Sequence, residues 1–174
     1  MHADPPHRAY YRSVEGRWRG TLDFAITDWA ALRAAPMARI DRLRLIGMAL
    51  ASRVVGPSRL DTSVDASGDE VVHTTRVSKW GVTVMRSTER LALDPNGRDL
   101  TMRILLGLAP APWRVRALPP APARVDDTAT RVSYRIPWFG GEMRQEAERG
   151  AEGNTVTLLQ ETAYSRGVQV LRRR

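Results

Sequence analysis

From residue 58 to the C-terminus the chain repeats one pattern, and that pattern limits the fold more than any other feature. Runs of alternating apolar and polar residues are separated by short turn signals: Ser67-Gly68-Asp69, Trp80-Gly81, Asp94-Pro95-Asn96-Gly97, Gly140-Gly141, Gly150 to Gly153 and Ser165-Arg166-Gly167. Alternation at period two marks a strand with one buried face, and glycine, asparagine and proline supply the backbone angles that reverse its direction. Strands are predicted near 58–66, 70–79, 82–93, 98–106, 112–118, 129–137, 141–149, 154–164 and 167–173. The proline-rich stretches APAPW and LPPAPA fit a wide loop. Closing such a run of hairpins into a barrel removes both sheet edges.

One further strand comes earlier, in GRWRGTLDF. Trp18, Gly20, Leu22, Phe24 and Ile26 alternate there with Arg17, Arg19, Thr21 and Asp23. Between it and the hairpins lies the one helical window. Thr27 or Asp28 caps a short helix, Pro36 fits the first turn of a longer one, and Gly56-Pro57 ends it. Met37, Ile40, Leu43, Ile46, Leu50 and Val54 recur at three- and four-residue spacing and predict an apolar stripe. Arg39, Arg42 and Arg53 lie off it and are expected to face solvent.

The 174 residues, 43% of them hydrophobic and 26% charged, suit one domain with its own core. There is no cysteine, which excludes disulfides and thiol chemistry. No run is apolar enough for a spanning helix, and the N-terminus lacks a signal-peptide core, so a cytoplasmic location is expected. The net charge is +8, and all but one of the 27 basic residues are arginine. That charge attracts anionic partners, an anionic membrane surface among them. The arginines are scattered rather than gathered on one element, which argues against nucleic acid as the partner.

A strand, a helix pair and then short hairpins resemble the calycin superfamily. The helix placement is similar to its fatty-acid-binding-protein branch, where two helices lid the barrel mouth. Gly16-Arg17-Trp18 resembles the Gly-x-Trp that opens lipocalin barrels. The resemblance implies that Trp18 packs beneath the barrel under an arginine from the end of the last strand, a role that falls to Arg172. The chain departs from the fatty-acid-binding pattern at its end. YSR at 164–166 reverses the Arg-x-Tyr that holds a ligand carboxylate there.

Parity then sorts the interior. Met143, Gln145 and Ala147 turn inward because Glu142, Arg144, Glu146 and Glu148 require water. Val156, Leu158, Gln160, Thr162 and Tyr164 form the inward set of their strand, as do Val132, Tyr134 and Ile136. Leu100, Met102, Ile104 and Leu106 face inward, and so do Met85, Ser87, Glu89, Leu91, Val71, His73, Thr75 and Val77. A solid core does not readily bury so many polar groups, whereas a small-molecule cavity uses them.

The expected fold is mainly β: an antiparallel up-and-down calycin-like barrel of about eight to ten strands, with a helical lid over residues 28–54 after the first strand. Residues 1–13 are expected as a flexible arm, and 14–174 as the single domain. The expected function is binding of a small apolar or amphipathic molecule, with Tyr134, Gln145, Gln160, Tyr164, Met102 and Met85 as ligand contacts. The alternative is a cyclase, isomerase or hydratase on the same scaffold, with Glu89 and His73 as acid and base. A basic nucleic-acid-binding barrel is the third reading. No cofactor is called for: His73 has no second histidine at ligand spacing, and there is no phosphate loop or nucleophile elbow.

Overall fold

The computed structural model describes residues 6–68, 70–93, 99–108, 114–117, 121–122, 124–126, 128–138 and 140–174, with side chains for 8–68, 70–91, 124–126, 128–138 and 140–174. The elements in chain order are α1 (Pro6–Ser13), β1 (Gly16–Ile26), α2 (Trp29–Ala34), α3 (Arg39–Val55), β2 (Ser58–Asp65), β3 (Glu70–Lys79), β4 (Val82–Leu93), β5 (Asp99–Leu108), β6 (Arg114–Ala117), β7 (Ala121–Pro122), β8 (Arg124–Val125), β9 (Arg131–Trp138), β10 (Gly141–Arg149), β11 (Thr155–Glu161) and β12 (Ser165–Arg173). The strands form one antiparallel sheet in the order β6-β5-β4-β3-β2-β1-β12-β11-β10-β9-β8, with β7 paired to β5. The first and last strands are neighbours, so the meander curls back on itself. Its two ends are joined by the chain: β7 lies on β5, β8 lies on β9, and one residue separates them in sequence. The fold is the mainly β, calycin-like barrel with a helical lid after the first strand.

The barrel floor is built around Trp18, which is 2% exposed. Its Nε1–H donates to the Val14 carbonyl at 2.8 Å. The β1–β12 register sets Trp18 opposite Arg173, whose guanidinium lies 4.8 Å from the indole centre. The covering residue is therefore Arg173, not Arg172. Arg172 pairs with Arg19 on the outward face and is exposed. The inward positions of β12 are Ser165, Gly167, Gln169 and Leu171, and period two carries that face on to residue 173. Arg173 also donates to the Ser13 carbonyl at 2.8 Å, tying β12 to the end of α1. Nearby, an added Cβ on Gly20 would stand 1.8 Å from the Val170 carbonyl oxygen, so β1 can pass β12 this closely only without a side chain.

Residues 6–13 are not a loose arm. They form α1, and Tyr10, Tyr11 and the following Val14 are buried with Trp18 in the main core cluster. The two tyrosine rings meet edge to face at 5.3 Å. Aromatic rings of this size bury about 150–250 Å² each, which is enough to hold a two-turn helix against the floor.

At the other end α2 begins on Asp28, whose carboxylate accepts from the Ala31 N–H at 2.9 Å. Pro36 lies in the connector, and α3 starts three residues later than the proline suggested. The orientation of α3 is rotated from the expected one. Asp41, Leu45, Ala49 and Ser52 are buried, whereas Ile40, Leu43, Leu50 and Val54 of the apolar stripe are exposed; Met37 and Ile46 of the stripe pack against the lid core, and Arg39 and Arg53 are exposed as expected. Arg42 does not project into solvent. It donates to the carbonyls of Leu32 and Ala35 at 3.1 and 3.0 Å, bracing one lid helix on the other. Lys79, the single lysine, donates to the Ala51 carbonyl at 2.9 Å and to the Gly56 carbonyl, pinning the end of α3 to β3. Ser52 Oγ accepts from the Phe24 N–H at 3.2 Å. Among the described residues no helix is long and apolar enough to cross a membrane.

Candidate functional site

Between floor and lid the barrel interior divides into two chambers. The upper one, partly open to solvent, lies beneath Asp41, Arg44, Leu45 and Met48 of α3. The lower one lies above Tyr10, Tyr11, Val14 and Trp18. His73, Gln145 and Leu158 line both chambers and form the waist between them.

One wall of the waist carries an acid–base pair. The β3–β4 register sets His73 directly opposite Glu89, so two inward side chains meet. His73 Nδ1 lies 3.1 Å from Glu89 Oε2, and both side chains are largely buried. With Glu89 as a carboxylate, which only accepts, Nδ1 is the donor of this contact. Nε2 faces Thr75 Oγ1 at 3.4 Å, and Thr75 meets Thr62 at 3.3 Å.

The opposite wall carries a ladder of amides. Gln169 Nε2 donates to Gln160 Oε1 at 3.2 Å, and Gln160 Nε2 donates to Gln145 Oε1 at 3.3 Å. Gln145 Nε2 donates to the Tyr134 phenol oxygen at 2.6 Å. Four adjacent strands, β12 to β9, contribute one residue each. Direct pairing of Gln160 with Gln145, and of Gln145 with Tyr134, places them at one height. Burial, then the neighbouring charges of Tyr11, Glu89 and Tyr10, push the Tyr134 phenol well above the usual tyrosine range. It therefore acts as a neutral hydroxyl. Each amide is used by its neighbours, so the wall is rigid and uncharged.

Of the residues expected to meet a ligand, His73, Glu89, Met85, Gln145 and Gln160 line the upper chamber and Tyr134 the lower. Two differ. Tyr164 leaves the lining because β11 ends at Glu161 and period two does not continue through a turn. Thr162 Oγ1 accepts from the Tyr164 and Ser165 N–H groups at 3.2 and 2.9 Å, and Tyr164 is buried with Leu32 and Leu45 under the lid. Met102 pairs through its backbone with Leu91; its side chain lies outside the described residues. Trp18 is sealed in the floor and offers no stacking surface for a nucleic acid.

Sequence reasoning missed five contributors. Gln169 was legible from its parity with Leu171. Tyr10 and Tyr11 were legible as an aromatic pair spaced one helical turn from Val14. Asp41 and Arg44 were not, because the stripe of α3 pointed the other way. Arg44 Nη1 donates to Asp41 Oδ1 at 3.0 Å. Among the described residues no group of histidines and carboxylates could hold a metal ion.

No family model and no curated protein matches this chain. Among solved structures it is similar to a mutant of the fluorescent protein UnaG, with a TM-score of 0.50 and 10% identity over 94% of this chain and 97% of that one. At that identity the likeness is one of fold. It is the likeness of a calycin-like barrel, and it runs over nearly the whole length of both chains.

Proposed function

We propose that this protein binds a small amphipathic molecule inside the barrel, with its apolar body in the lower chamber and its polar atoms at or above the waist. The observation that carries the reading is the interior itself. Buried polar side chains from six strands and the lid surround space that no described side chain fills, and most of them are held by one another. Preorganised polar groups on an apolar wall are what a ligand site needs. The lid and the shared fold support the same reading, and the chain's positive charge suits encounter with an anionic membrane surface. A cytoplasmic setting fits this activity. Native mass spectrometry of freshly purified protein tests it. A retained small-molecule adduct of a few hundred daltons is expected; a retained oligonucleotide would replace the reading with a nucleic-acid one.

The His73–Glu89 contact supports a second reading, in which the same cavity turns its ligand over by proton transfer. Glu89→Gln then abolishes product formation and largely keeps binding, lowering the rate by about 10²–10⁴. A ligand recovered unchanged after long incubation with the wild-type protein sinks that reading and leaves binding intact.

A further inference from the structure

The lid carries a polar residue that lid closure does not need. Arg44 lines the upper chamber from above, and among the described residues it is the one arginine that lines either chamber. Its guanidinium is held by Asp41 through Nη1, while Nε is buried and has no hydrogen-bond partner. A lid meant only to shut would present apolar side chains here, and α3 has such residues. It turns Ile40, Leu43, Leu50 and Val54 outward and keeps Arg44 inside.

Taking the cavity to be a ligand site, we propose that Arg44 anchors the ligand's carboxylate. The molecule then enters apolar end first and lies with its head against the lid. Charge decides the orientation. At the waist Glu89 repels an anion, and the glutamines are neutral and each spend one N–H along their own ladder. Below the waist the walls are Tyr10, Tyr11, Leu91 and Val132, which suit a hydrocarbon or aromatic tail. Among the described lining residues only the roof offers an arginine. Asp41 holds its guanidinium through Nη1, and the buried, unpartnered Nε–H is a donor that a carboxylate drawn under the lid satisfies.

The probes are 1-pyrenebutyric acid and 1-pyrenebutanol, which share a tail and differ in the head. Fluorescence titrations follow the binding of each to wild type, Arg44→Met, Arg44→Lys and His73→Leu. Wild type should prefer the acid by about tenfold or more. Arg44→Met should erase that preference and leave the alcohol's affinity unchanged, and Arg44→Lys should keep part of it. If Arg44→Met fails to fold because Asp41 loses this partner, Asp41→Asn combined with Arg44→Gln keeps the helix neutral and gives the same readout. A wild type without preference, or a preference that survives Arg44→Met, overturns the anchor while leaving the cavity reading standing. A preference lost only in His73→Leu places the head at the waist and overturns it too. Failure of both probes to bind removes the cavity reading and the anchor together.

Discussion

The two ends of this barrel are each closed by helix, yet they are closed differently. At the floor every contact is spent on closure. Trp18 is enclosed, its N–H is taken by Val14, and Arg173 covers the ring and ties down the end of α1. At the roof the lid is fastened at its edges through Arg42, Ser52 and Lys79, while its inner face keeps a buried Asp41–Arg44 pair with one donor unused. Its outer face shows Leu43 at 56% exposure and Val54 at 80%. Replacing a buried ion pair with apolar residues is often neutral or stabilising, so the roof retains polarity that stability does not require. One end is built to stay shut and the other to meet something.

The largest test of this contrast is alkaline pH. Burial raises all four tyrosines: Tyr10, Tyr11 and Tyr134 strongly, at the floor and below the waist, and Tyr164 under the lid. Stability from keeping these phenols neutral is complete below their unfolded pKa of about 10 and is lost as pH rises toward the folded values. Each phenol still protonated in the fold then costs about 1.4 kcal/mol per pH unit. Tyrosinate absorbance should therefore appear together with loss of ellipticity. Tyr11→Phe should move the transition to higher pH, and Tyr164→Phe should move it less. Equal shifts would erase the difference between the ends.

Trp18→Ala comes next, with a loss of about 3–5 kcal/mol in urea denaturation. A variant that melts like wild type would show that the floor is not a plug. Lys79→Met strips two carbonyls at the end of α3 of their donor and should cost about 1–3 kcal/mol. It should also speed hydrogen exchange over residues 50–55 and ligand release, with the floor unaffected. Protection lost equally at Trp18 would mean that the two ends open as one unit.

Arg173→Gln removes the cation over the indole and should cost about 0.5–2 kcal/mol, whereas Arg172→Gln should stay within about 0.5 kcal/mol of wild type. The reverse order would restore Arg172 to the floor. The smallest stability effect belongs to the outer face of α3. Leu43→Ser with Leu50→Ser should change stability by less than about 0.5 kcal/mol and still weaken sedimentation with anionic vesicles at low salt. Unchanged sedimentation would remove the membrane surface as a partner of the roof.

Much of the barrel was legible in the sequence, and for a local reason. A strand's inward face follows from period two, and charged residues such as Glu142, Arg144, Glu146 and Glu148 announce which face is wet. That parity places His73, Glu89, Met85, Tyr134, Gln145 and Gln160 in the interior. It failed at strand ends. Tyr164 fell in a turn, and Arg172 was chosen where the parity of Leu171 already pointed to Arg173.

The helices were legible as helices but not in their orientation. An apolar stripe says that a helix has two faces; it does not say what each face meets. The tyrosines of α1 find an apolar floor and turn inward. The helix α3 lies over a chamber lined by glutamines, hydroxyls and an acid–base pair, and it sets its own Asp41 and Arg44 above them while most of its apolar stripe faces outward. Alternation along the chain determined the sheet, its hairpins and the inward side chains, because a strand's period depends on its own backbone. Tertiary structure alone decided the covering arginine, the docking of α1 and the rotation of α3. Each of those depends on the surface brought opposite by residues far away in the chain.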